Sequence, residues 1–115
     1  MKEESLDNLT QPTPEQVEAW VKQYGRLKKA TIKDAEGDKA GEEMVFYFKK
    51  ISLDALRLAN QALTQDKDNI KYAEIILANS IVNGLNYLKD ADVFIALLPI
   101  ADQLLTNKIA TLEKN

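Results

Sequence analysis

Apolar positions along this chain follow two rhythms, a helical one near 3.6 residues and a strand-like one of two. The helical rhythm is clearest in "TPEQVEAWVKQYG". Thr13 suits the N-cap, Pro14 the first helical position, and Gln16 completes a capping box with Thr13. Val17, Trp20, Val21 and Tyr24 recur at i, i+3, i+4 and i+7, and Gly25 supplies the stop. The spacing predicts a short amphipathic helix over about 14–24. Residues 1–12 are polar and without period, which predicts a flexible N-terminal arm.

The strand-like rhythm follows. Two β-like runs, about 27–33 and 43–49, flank a polar connection containing Gly37 and Gly41, the pattern of a hairpin with a long loop. The first run alternates, with Lys29, Thr31 and Lys33 on one face and Ala30 and Ile32 on the other. The second is apolar on both faces, Met44, Phe46 and Phe48 opposite Val45 and Tyr47. An isolated hairpin cannot cover such a strand and leaves each strand a free edge. Two solutions exist. Helices of the same chain cover one face while a third strand around Leu85–Leu88 covers the edge, or a partner chain supplies the cover by strand addition or face packing.

Three further helical segments complete the chain. Ser52 is a predicted N-cap, with Asp54 in the first turn and Leu53, Leu56, Ala59 and Leu63 on one face, widened by Leu58 and Ala62. The next starts at Asp66 or Asp68 and stops at Gly84. Ile70, Ala73, Leu77 and Ile81 form its stripe, and Ile75, Ile76 and Val82 make it apolar nearly all round, so it belongs at the centre of the domain. The last starts near Asp90 or Asp92, carries Phe94, Leu97, Leu98, Ala101, Leu105, Ile109 and Leu112, and kinks near Pro99. The predicted fold is α+β and mostly helical, with a single domain over 13–115: an N-terminal amphipathic helix, one β-hairpin, then three helices.

Composition narrows the chemistry. The chain of 115 residues has a net charge of −3 and neither cysteine nor histidine. Disulfides, thiolate metal sites, thiol nucleophiles and the commonest general base are therefore excluded. The net charge gives no pull toward nucleic acid or anionic membrane. No apolar run approaches a membrane span, and the N-terminus lacks a signal core.

Individual motifs narrow it further. "DAEGDKAGEE" fails as a calcium loop, since an EF-hand starting at Asp34 needs glycine where Lys39 stands and glutamate where Val45 stands. Gly37 and Gly41 lack the Gly-Lys-Ser/Thr and the helix of a phosphate cradle. The pairs Asp66/Asp68 and Asp90/Asp92 each open a predicted helix, which makes them caps before it makes them an acid/base pair. Lys28, Lys29, Lys49 and Lys50 beside Tyr47 can be drawn as a single-strand nucleic-acid surface, but as readily as edge protection, and the chain has just two arginines. The expectation is no catalytic residue, no cofactor and no metal site. The candidate partner-binding residues are Val45, Tyr47, Lys49 and Lys50.

From about Pro12 to Asn115 the chain resembles small tailed-phage and prophage proteins of the tail assembly chaperone type, or a related minor virion structural protein. The resemblance rests on Glu18, Trp20, Tyr24 and Gly25 in "EAWVKQYG", on "YFKK", on the helix start Ser52-Leu53…Leu56…Ala59, on "DNIKYAEIILANS" and on the ending "NKIATLEKN". The chain departs at Ile51, where similar sequences carry proline, and at Leu85 and Asn86, where they carry acidic residues. The resemblance implies a non-enzymatic protein of the host bacterial cytoplasm during assembly, or of the virion. It implies binding to the tape-measure protein, to other virion or assembly proteins, or to itself as a homo-oligomer. Two other readings compete, a generic adaptor or regulatory domain and a single-stranded nucleic-acid binder.

Overall fold

A computed structural model describes residues 5–33, 43–105 and 111–112. Along the chain come a 3-10 turn at Leu6–Asn8, α1 (Pro14–Tyr24), β1 (Lys28–Lys33), β2 (Glu43–Phe48), α2 (Leu53–Thr64) and α3 (Asn69–Ser80). A second 3-10 turn at Leu85–Lys89, α4 (Ala91–Leu97) and α5 (Ile100–Gln103) follow. The fold is α+β and mostly helical, with one antiparallel hairpin. The hairpin connection and Ile109 lie outside the described residues. Leu112, expected on the last apolar stripe, is 95% exposed.

Local chemistry explains most boundaries. Thr13 and Gln16 bond reciprocally at the start of α1, and Gly25 ends it at a φ of 84° that a side chain would resist. Ser52 caps α2 and Asp68 caps α3 through bonds to Ala55 N and Lys71 N. Pro99 divides the last helical segment, leaving α4 and α5 on either side.

The structure differs from four expectations. Residues 5–12 are packed against the domain, with Leu9 buried and Leu6 O and Thr10 O accepting bonds from Gly84 N and Val45 N. α3 stops at Ser80, not at Gly84, and Leu85–Leu88 is a 3-10 turn, not a third strand. Both follow from the free edge of β2. The chain turns extended at Ile81 beside it, with Lys49 N donating to Ser80 O and Val82 N to Tyr47 O, both at 2.7 Å. Finally, α2 buries Ala55, Ala59 and Ala62 against α3 and leaves Leu53 62% and Leu58 57% exposed. Small side chains on that seam let the two helix backbones approach closely.

The hairpin register pairs Lys28 with Phe48, Ala30 with Phe46 and Ile32 with Met44. Phe46 and Phe48 enter the main core with Ile76, Leu77 and Leu97, all essentially without exposed surface. Tyr47, on the other face, joins a smaller cluster of Leu9, Trp20 and Val82 beneath α1. Both faces of β2 are thus packed against this same chain.

Candidate functional site

The four candidate residues are all placed along the end of β2. Val45 and Tyr47 are half-buried. They line a shallow cleft of about 240 Å³ with Gln11, Pro12, Lys29 and Glu43. The Tyr47 ring meets Trp20 edge-on at 5.9 Å. Lys49 Nζ stands 4.7 Å from the centre of the Tyr24 ring, a cation–π contact, while Lys50 is exposed in the link to α2.

The outer edge of β2 is closed from within. Alternation in an antiparallel ladder sends the backbone groups of Glu43, Val45, Tyr47 and Lys49 away from β1. Val45 N donates to Thr10 O, and Gln11 Nε2 to Glu43 O. The Asn83 side chain fills the centre like a missing strand residue. Its Nδ2 donates to Leu9 O and Val45 O at 2.8 Å each, and its Oδ1 accepts from Tyr47 N at 2.9 Å. Asn83 is fully buried, yet each of its polar atoms is bonded. Glu43 O, Val45 N and O, Tyr47 N and O, and Lys49 N are thus each taken by a group of this same chain while the N-terminal segment is in place.

A larger apolar surface lies elsewhere. Ile70, Glu74 and Ala78 form a ridge at i, i+4 and i+8 along α3. Leu85, Leu88, Ala91 and Phe94 form a second, at steps of three through the 3-10 turn into α4. Between them runs an open groove of about 610 Å³. Ile70 is 55% exposed and Leu85 is also exposed, while Leu88 and Phe94 are half-buried. Sequence reasoning missed this groove because Ile70 and Phe94 sit on apolar stripes that read as core. The three-residue repeat from Leu85 to Phe94 was the available signal.

The carboxylate pairs are occupied structurally. Asp68 and Asp90 accept backbone bonds at the starts of α3 and α4, and Asp66 accepts from Lys71 Nζ at 2.9 Å. That bond raises the pKa of the exposed Lys71. Tyr72 donates its O–H to Asp102 at 2.9 Å, beside a cleft lined by Leu63, Ala73 and Leu98. Burial first, and this bond second, raise the Tyr72 pKa above its ordinary value. Among the described residues, no group of three or more carboxylates is placed to hold a metal ion. Also among them, no helix is long and apolar enough to cross a membrane. Comparison with family models, curated proteins and solved structures finds no match.

Proposed function

We propose that this chain is a non-enzymatic protein-binding protein of phage assembly, of the tail assembly chaperone type or a related minor virion component, acting in the host bacterial cytoplasm. The groove between α3 and the Leu85–Phe94 ridge carries this reading. Its largely apolar walls, which also carry Glu74 and Lys89, suit one face of an amphipathic helix, a recurring mode of peptide recognition. Solvent-exposed Ile70 and Leu85 are a standing cost in a free monomer, and an apolar helix laid between them removes both from water. A tape-measure protein, with long apolar helices awaiting assembly, is a partner of that chemistry.

Co-expression with the products of neighbouring genes, followed by pull-down and mass measurement, tests the proposal. Capture of a virion protein by the wild type, and its loss in Ile70→Glu with unchanged melting, is the expected result. A chain that stays monomeric and captures none of those products overturns it.

A further inference from the structure

We propose that Asn83–Gly84 is a deamidation site gated by the N-terminal segment, so that release of residues 5–12 can be made irreversible. Asn83–Gly84 is the only Asn–Gly pair in the chain. Glycine has no Cβ, so its backbone nitrogen meets the least hindrance in closing on a preceding asparagine side chain. In the reaction, the deprotonated Gly84 nitrogen attacks Asn83 Cγ and forms an N–Cγ bond. The Cγ–Nδ2 bond breaks and ammonia leaves with the proton. Water then opens the five-membered imide at either carbonyl, giving aspartate or isoaspartate at position 83. Solvent water is the sole co-reactant.

The folded chain holds both reacting groups back. Gly84 N donates to Leu6 O at 2.9 Å, so the proton that must leave is engaged. Both Asn83 Nδ2 protons and Oδ1 are engaged as well, with Leu9 O, Val45 O and Tyr47 N. Asn83 has no exposed surface for water to reach. Two of these restraints, Leu6 O and Leu9 O, belong to the N-terminal segment. Leu9 is the one buried side chain of that segment, and the rest of it is held by hydrogen bonds with Gly84 N, Asn83 Nδ2, Val45 N, Glu43 O and Asn86 Nδ2. A segment with one buried side chain opens locally before the domain unfolds globally. Its opening frees the Gly84 amide and admits water together.

The product cannot restore the closed state. A carboxylate at position 83 has no donor to give Leu9 O or Val45 O and sets a negative charge against both carbonyls. A buried acceptor without a donor, and a buried charge without a partner, both oppose closure. The β2 edge at Val45 then stays open, available to an extended segment that the native chain excludes.

The test follows conversion at position 83 in the full chain by mass spectrometry and isoaspartate assay in mildly alkaline buffer. Three samples are compared: the folded wild type, the wild type in denaturant, and Leu9→Ala. Folded wild type is expected to convert at least about tenfold more slowly than the denatured chain, as protection by a closed segment requires. Leu9→Ala is expected to recover roughly tenfold in rate by weakening the anchor. Converted protein is expected to lose amide exchange protection at Val45 and Gly84. Should Leu9→Ala unfold, Gln11→Ala loosens the same segment from the exposed side, by removing the bond to Glu43 O. Equal rates in folded and denatured wild type overturn the gate, as does a rate unmoved when exchange shows the segment released. Full protection in converted protein overturns the irreversibility.

Discussion

Asn83 and Gly84 show how far single residues can control this fold. Asn83 supplies three bonds to two different segments, so Asn83→Ala strands Leu9 O, Val45 O and Tyr47 N in the interior. At about 1–3 kcal/mol for each unsatisfied buried group, a loss of at least ~3 kcal/mol is expected in denaturant unfolding. Gly84 has a φ of 82°, and a Cβ there would lie 2.5 Å from Phe46 Cε1. Gly84→Ala is therefore expected to cost about 1–3 kcal/mol from the backbone, with the displaced aromatic ring added, as the same unfolding curves would show. Tyr72 gives a pH signature. Its raised pKa means that the folded chain holds a proton the unfolded chain has released. That stabilisation is complete below the ordinary tyrosine value of about 10 and is lost as pH rises through the folded value. Stability measured across this alkaline window is expected to fall more steeply in wild type than in Tyr72→Phe. None of these roles is legible in sequence, where "NG" reads as a helix stop and Tyr72 as one more residue of an apolar helix.

At the scale of elements, legibility tracked whether the controlling interaction was local. The Thr13/Gln16 box, the caps at Ser52 and Asp68, the Pro99 break and the alternation of β1 were readable because each is set within a few residues. The end of α3 was not, because a helix-compatible Ile81–Val82 is pulled extended by β2, far away in sequence. The buried face of α2 was not readable either. Leucines and alanines both recur at helical spacing there, and the period does not say which face turns inward. Packing at the α2–α3 seam decides it, since alanine permits the close approach that leucine prevents. Ala59→Leu should accordingly destabilise by about 1–3 kcal/mol through overpacking. Leu58→Ala, on the exposed flank, should stay within about 0.5 kcal/mol. Thermal melts of the pair check the assignment directly, and the reverse ranking would return α2 to its leucine face.

Across the whole molecule, two surfaces compete for the partner-binding role, and they differ in what a substitution does to folding. The Tyr47 side already has occupants: Trp20 stacks edge-on against the ring, and Leu9 and Val82 complete the cluster. Tyr47→Ala removes a half-buried aromatic and its stacking, so a stability loss of about 2–3 kcal/mol is expected, somewhat below the value for a fully buried ring. Association through any other surface would be unchanged at temperatures where the variant is folded. The groove behaves in the opposite way. Ile70 stands out to solvent on its α3 ridge, and replacing it by glutamate should leave melting within a degree or two, as expected for exposed positions. The same change sets a second carboxylate one turn from Glu74 on a ridge that must meet apolar side chains, and burying it against an apolar helix costs several kcal/mol, enough to abolish capture at ordinary concentrations. Measuring melting and capture for both variants therefore separates the surfaces. If Tyr47→Ala abolishes capture with melting intact while Ile70→Glu retains it, the contact lies on the β2 face and the groove is an idle feature of the fold. The arrangement of the cores argues for the other pattern, because this chain has already filled the Tyr47 side and has left the groove open.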